Sequence, residues 1–335
     1  MSTTVFDNAP PPAPRASISV IVLSHNSGRF IAEALDSILG QTVQPEQIVV
    51  VDVGSTDASS IDNGAAVVGK YSDRRIQYLR QPNGGVASAR NAGLDAVKCD
   101  FIAFLDADDR WRPTFLETMY GFLAEDPAVA CVFGNFVRFQ DSTGELLRDQ
   151  FHLYPEIKRP ALLRDAPNAH GRIPKEKAFS VLVRCGEIPA YPQAMMFRRS
   201  LIESLRFEPS LAFGEQILFA LQTFMRGSVV FTDEVLAEVR RHQTDATDNY
   251  GEIAVHELGG LKALAPQITR DIDLVAYRDR LVKAHVDAAL YQTKQGRVRA
   301  GLRTLRDSFA VPGSSLRKLQ GSARMVLALP QGMAK

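Results

Sequence analysis

Three aspartates crowd into four residues at Asp106-Ala107-Asp108-Asp109. Asp106 and Asp108 are two apart and can face one ligand. Carboxylates this close repel one another, and a hard divalent cation held by oxygen donors relieves the repulsion. A turn rich in aspartate gives the same pattern with no ligand, and from this stretch alone both readings stand. Directly before it runs Phe101-Ile102-Ala103-Phe104-Leu105, five apolar residues that read as a strand buried on both faces. In open α/β sheets ligands bind beyond the carboxyl ends of the strands, so the acids fall where a ligand is expected.

The elements that must position them alternate in type. Ile18-Ser19-Val20-Ile21-Val22-Leu23 is a first strand, broken by Ser24-His25-Asn26-Ser27-Gly28. Ser27 is placed to cap a helix running to about Gly40, whose Phe30, Ile31, Ala34, Leu35, Ile38 and Leu39 share one face. Ile48-Val49-Val50-Val51 is a second strand, ending in Asp52-Val53-Gly54-Ser55-Thr56-Asp57. A short strand at Ile76-Gln77-Tyr78-Leu79 and a helix of small residues after Asn83-Gly84-Gly85 lead back to the aspartates. Strands alternating with helices over about 100 residues imply right-handed crossovers and an α/β fold with a mostly parallel sheet. Beyond it the chain predicts a helix after Pro113, a strand over residues 129–139, and an irregular proline-bearing stretch over 140–181 that could cover a ligand. A helix after Gly214 and two closing strands at Val229-Val230-Phe231 and Val235-Leu236-Ala237 complete it. The expected organisation is a disordered proline-rich leader over residues 1–16, an α/β domain over 17–250 and a helical C-terminal extension over 251–335.

Composition narrows the function class. With 335 residues, 45% hydrophobic and 23% charged, the chain is ordinary for a globular protein. A formal net charge of +1, with no basic run interleaved with aromatics, argues against nucleic acid as a partner. Cys99, Cys131 and Cys185 lie far apart without metal-ligand spacing and read as reduced, buried residues. No apolar run reaches the roughly 18 residues of a membrane span, and the N-terminus lacks a signal peptide's apolar core, so the expectation is a cytoplasmic protein.

Four stretches in order resemble the family-2 glycosyltransferases of GT-A fold. They are Ser19-Val20-Ile21-Val22-Leu23-Ser24-His25-Asn26, Val51-Asp52-Val53-Gly54-Ser55-Thr56-Asp57, Asn83-Gly84-Gly85-Val86-Ala87-Ser88-Ala89-Arg90-Asn91-Ala92-Gly93, and Phe104-Leu105-Asp106-Ala107-Asp108-Asp109. The resemblance covers about residues 17–245 and weakens after Phe139. It implies inverting transfer of a sugar from a nucleotide-diphosphate donor, a UDP-sugar first, to an acceptor hydroxyl. A Mg²⁺ or Mn²⁺ ion would neutralise the departing diphosphate. By the family's pattern Asp106 and Asp108 form the metal and donor-sugar motif, Asp108 being the direct ligand. Asp52 sits in the nucleoside pocket, lined from the first strand end by Ser24 and Asn26, and the turn at Gly54-Ser55 passes near the nucleotide. Asn83 belongs to the third donor-contacting motif. Arg90 would reach the base or a phosphate, or else form a surface ion pair. His242, in Arg240-Arg241-His242, would complete the metal or diphosphate site. A surface or exopolysaccharide pathway, with a glycan or lipid-linked glycan acceptor, is the implied setting.

Two departures qualify the resemblance. Val53 stands where the family commonly has a second aspartate that contacts the base, which leaves nucleotides other than uridine open. At Gly214-Glu215-Gln216 the family commonly has Glu-Asp, with the aspartate as base; Gln216 cannot take a proton, and Glu215 is the candidate base in its place. These departures keep a second reading open, a catalytically impaired relative that binds a nucleotide sugar or a partner. A nucleotidyltransferase is disfavoured, because the first strand ends in Ser24-His25-Asn26 with no glycine-rich basic loop. The segment carrying Arg297, Arg299, Arg303, Arg306, Arg317, Lys318 and Arg324 reads either as a peripheral contact with the inner face of a membrane or as a solvated face of a docked helix.

Overall fold

A computed structural model describes residues 15–55, 64–82, 84–153, 169–185, 188–211, 214–241, 250–312, 318 and 320–322. In its first half strands and helices alternate: β1 (Arg15–Ser24), α1 (Ile31–Leu39), β2 (Gln44–Val53), α2 (Gly64–Val68), β3 (Ile76–Gln81), α3 (Gly85–Ala96) and β4 (Phe101–Asp106). There follow β5 (Arg110–Trp111), α4 (Phe115–Glu125), β6 (Val129–Gln140), β7 (Leu146–Asp149), α5 (Gln150–Leu153), β8 (His170–Ile173) and α6 (Lys175–Leu182). Then come β9 (Met195–Arg198), α7 (Arg199–Ile202), α8 (Glu215–Phe224) and β10 (Ser228–Arg241), and last α9 (Tyr250–Leu264), α10 (Asp271–Lys294) and α11 (Val298–Ala310).

All ten strands join one sheet, ordered β3-β2-β1-β4-β9-β6-β10-β5, with β7 beside β6 and β8 beside β10. From β3 through β4 every pairing is parallel. β9 then inserts antiparallel between β4 and β6, and β6 and β10 run parallel again. Ile18, Val20, Ile21, Val22, Ile48 to Val51 and Ile102 to Leu105 are all buried, as strands covered on both faces must be. The register matters most for function. Ser24 lies opposite Asp52, and Leu23 opposite Asp106, so β1, β2 and β4 end level and deliver their polar residues to one edge.

Helix α3 lies unusually close to that sheet. A Cβ on Gly93 would fall 2.4 Å from Ile21 Cγ2, so only glycine fits there. The extension is docked, not separate: Leu261, Leu264, Ala276, Tyr277, Ala284 and Ala288 belong to the same core as the sheet. Arg280 of α10 ties it down, pairing with Glu257 and donating to the Cys185 carbonyl at 2.6 Å.

Several local expectations change. Ser27 does not cap α1 through its side chain. Its hydroxyl donates to the His25 carbonyl, while its backbone oxygen accepts the Phe30 and Ile31 N–H groups, so the helix begins at Ile31. The two closing strands are one continuous β10, whose register shifts between Thr232 and Ala237 leave Val235 and Ala237 both paired to β6. The 140–181 stretch contains β7, α5, β8 and α6, and β1 starts at Arg15 because Arg15 and Ala16 pair with Gln44 and Pro45. The expected leader otherwise lies outside the described residues. Cys99, Cys131 and Cys185 are buried thiols, none of them in a disulfide.

Candidate active site

The level strand ends build two adjoining walls. The first is organised by Asp52, which is buried at the end of β2. Its Oδ1 accepts the Ser55 N–H at 3.0 Å and the Ser55 hydroxyl at 2.6 Å, and its Oδ2 accepts the Tyr78 hydroxyl. Burial alone would raise this carboxyl, but those hydrogen bonds and the charge of Arg80 outweigh it and hold Asp52 below the usual range. Tyr78 is correspondingly pushed far up by burial and by Asp52. The loop after β1 closes on the same turn. Asn26 adopts the left-handed region at φ 50° and donates its N–H to Ser55 Oγ at 3.1 Å. Its side-chain Oδ1 is buried without a partner, an acceptor left for something else to satisfy. Ser24 is buried beside them. Arg80 donates to the Ser55 carbonyl at 3.0 Å, and Gly54, Ser55, Arg80, Gln81 and Pro82 line a cavity of about 520 Å³, within the size range of small-molecule sites. Val53 is no part of this lining. It packs in the hydrophobic core, while its carbonyl meets His25 Nδ1 at 2.8 Å.

The second wall is the acid cluster. The Ala107 N–H donates to the Leu23 carbonyl at 2.8 Å and the Asp109 N–H to the Asp106 carbonyl at 3.0 Å, which fixes a tight turn at the end of β4. Asp106 is pushed up to about 6 by burial, against the charge of Arg90 and helped by Asp108 and Glu215. Asp109 is buried and raised well above the carboxylate range by burial, Asp108 and Asp106, although it accepts the Arg240 N–H at 2.8 Å. Crowded acids that raise one another are the electrostatic signature of a site short of positive charge.

Two arginines hold the cluster. Arg90, on α3, pairs its Nη1 with Glu215 Oε1 at 2.5 Å and stands 3.8 Å from Asp106 Oδ1, with its Nε buried and unpartnered. Glu215 is therefore engaged inside the protein, at the first turn of α8 just after Gly214, whose φ of 84° turns the chain into the helix. Arg240 lies between the rings of Phe30 and Phe139 and donates to the Asp108 carbonyl, to Asp141 and to Glu33 at 2.8, 2.8 and 2.7 Å.

Of the residues picked from sequence, Ser24, Asn26, Asp52 and Ser55 gather in the first wall, and Arg90, Asp106, Asp108 and Glu215 in the second. Asn83 and His242 lie outside the described residues. Sequence reasoning missed Tyr78, Arg80, Asp109 and the gripping role of Arg240. Asp109 was visible as the third acid of the run. Arg240 could be told from Arg241 only by strand alternation, which buries the former. Among the described residues no group of three or more His, Cys, Asp or Glu side chains stands ready for a metal. Oxygen donors from one or two carboxylates, completed by substrate phosphates, nevertheless suit Mg²⁺ or Mn²⁺, and Asp106 and Asp108 supply such a pair.

A mostly parallel sheet ending in an aspartate cluster, extended by an antiparallel insertion, is the architecture of a GT-A glycosyltransferase. The chain belongs to glycosyl transferase family 2, whose pattern it matches over residues 19–205, more than half its length. It is 38% identical over 199 residues to glycosyltransferase GlyA of Streptococcus pneumoniae serotype 4, a match covering 57% of this chain but only 26% of GlyA. Its fold is similar to S. aureus TarS 1-349 in complex with UDP-GlcNAc, with TM-score 0.56, 17% identity, and coverage of 93% of this chain and 88% of that one. It is equally similar to mannosyltransferase PcManGT of Pyrobaculum calidifontis in complex with GDP-Man and Mn²⁺, with TM-score 0.56, 18% identity, and coverage of 98% and 85%.

Proposed function

We propose that this protein is an inverting glycosyltransferase that moves a sugar from a nucleoside-diphosphate donor to a hydroxyl of a glycan or lipid-linked glycan, in the synthesis of a surface or exopolysaccharide. The observation that carries the reading is the meeting of the two walls at one edge: the Asp52–Ser55–Tyr78 cage beside a nucleoside-sized cavity, and the mutually raised acids beyond it. TarS with UDP-GlcNAc and PcManGT with GDP-Man and Mn²⁺ lend support from proteins of the same fold.

In this reading the first wall holds the nucleoside, with Ser24, Asn26, Asp52 and Ser55 around it and Asn26 Oδ1 as an acceptor for a ligand N–H or O–H. Val53 supplies no acceptor, so a donor base other than uracil fits as readily as uracil. Asp106 and Asp108 are the proposed ligands of Mg²⁺ or Mn²⁺, with His242 as a further one. When bound, such an ion would neutralise charge on the leaving diphosphate as a Lewis acid. Arg90, whose buried Nε has no partner, is a proposed donor to the same charge. Glu215 is the proposed base for the acceptor hydroxyl, a role it would combine with holding Arg90.

Transfer measured with a panel of nucleotide sugars and Mn²⁺ should find one donor, and D108N should lose most of the rate. Undiminished transfer by D108N would overturn the metal role. E215Q keeps an acceptor for Arg90, so a fall in kcat with unchanged donor affinity supports the base; unchanged kcat removes it. Donor binding by calorimetry with no transfer to any acceptor would instead favour the impaired relative that Gln216 keeps open.

A further inference from the structure

Helix α11 packs on the protein through Gly301, Leu305 and Ser308, all buried, with Leu305 joining Val286 and Ala289 of α10. Beside that packed face it carries two large apolar residues that are half exposed. Leu302 is 53% and Phe309 50% exposed. Seven residues apart, they lie nearly in line along the helix axis, about two turns from each other. Beside that line run Arg299, Arg303 and Arg306, all exposed. Only Arg306 meets an acid there, its neighbour Asp307 at 3.1 Å, while Arg299 and Arg303 reach none among the described residues. From Lys294 to Lys335 the sequence holds nine lysines and arginines and a single acid, Asp307.

An exposed apolar line flanked by arginines, two of them without an acid partner among the described residues, is the pattern of a helix that lies in a bilayer interface, its apolar residues among the acyl chains and its cations at anionic headgroups. A protein partner would be expected to supply carboxylates one by one, whereas a lipid surface meets a continuous basic face with continuous negative charge. We propose that the outward face of α11 docks the enzyme on an anionic membrane surface, with Leu302 and Phe309 inserted and Arg299, Arg303 and Arg306 against lipid phosphates. This goes beyond the reading of the active site and does not depend on it, since binding is read without donor or acceptor.

The test is co-sedimentation of the full chain with phosphatidylcholine vesicles and with vesicles containing about a third phosphatidylglycerol. Binding to the anionic vesicles alone, weakened on going from about 0.1 to about 0.5 M salt, is expected. R299Q/R303Q should lower the partition coefficient about 25-fold, taking about fivefold per cation. L302S/F309S should lower it at both salt concentrations. Both variants change exposed side chains only, so their melting temperatures and circular dichroism should match the parent. No binding to anionic vesicles, equal binding to neutral ones, or parental binding by both variants would overturn the proposal. So would binding to soluble heparin without binding to vesicles, or a dimer in solution that L302S/F309S splits while vesicle binding stays unchanged.

Discussion

The pair Arg90–Glu215 offers the sharpest test of how the site is held. Both side chains are almost wholly buried, 6% and 4% exposed, and their nitrogen and oxygen are 2.5 Å apart. Removing one member of a buried pair strands the other, at about 3–5 kcal/mol. The two losses are not equivalent, however. Without Glu215, Arg90 keeps Asp106 at 3.8 Å and the face of Phe207 at 5.2 Å. Without Arg90, Glu215 has no cation, and Asp106 loses the one charge that opposes its rise. R90M should therefore fall in the upper part of that range and E215M in the lower. At about 2 °C per kcal/mol for a chain of this length, the melting temperature should drop roughly 8–10 °C for R90M and roughly 6 °C for E215M. The double variant R90M/E215M leaves two apolar side chains of similar size and no stranded charge, so it should be more stable than R90M alone. Differential scanning calorimetry on the three variants measures all of this in one cycle. A double variant whose loss equals the sum of the singles, or an R90M that loses less than about 1 kcal/mol, would refute the reasoning that Arg90 and Glu215 depend on each other.

Three other outcomes are expected. R240K keeps a charge but not the fork that reaches the Asp108 carbonyl, Asp141 and Glu33 together, so it should cost about 2–3 kcal/mol in urea denaturation and shrink the thermal shift produced by Mn²⁺. G93A would set a methyl against Ile21 Cγ2 on a buried, β-branched side chain, and should destabilise by about 1–3 kcal/mol, read as a lower urea midpoint with an unchanged slope. His285 is held below the usual histidine range by burial, against the Leu281 carbonyl and Asp307 and with help from Lys262. The unfolded chain then takes up its proton near pH ~6.5 while the folded chain resists, so stability should fall as pH drops below that value. H285Q should flatten that part of the curve; an identical slope in parent and variant would show that other groups set it.

What could be read from the sequence divides along physical lines. Periodicity places β1, β2, β4 and α1 because covered strands and one-faced helices leave unambiguous patterns, and the strand ends then follow from topology. Asp106 and Asp108 were legible for that reason, whereas Asp52 was singled out through the family resemblance. Partners distant in sequence were not. That Glu215 meets Arg90 depends on α8 packing across 125 residues of chain, and no local pattern records it. Likewise β9 inserts antiparallel beside β4 through Met196 and Arg198, a pairing that its short apolar run cannot announce. The Ser27 error has the opposite cause, a correct propensity overruled by a competing bond to His25.

The balance of charge ties the two walls into one device. Asp106, Asp108, Asp109 and Glu215 gather around Arg90 and Arg240, and Arg240 also holds Glu33 and Asp141, which Arg110 and Arg29 approach at 3.3 and 3.7 Å. Burial first, and then the crowding of like charges, raises the carboxyls of Asp106 and Asp109 at the end of β4 against the opposing charges of Arg90 and Arg240. In the proposed function, such crowding would oppose a bare diphosphate and favour one that arrives with a divalent ion. The same crowding ties Arg90 and Arg240 to both fold and site, so substitutions at either should weaken stability and ligand binding together rather than one at a time.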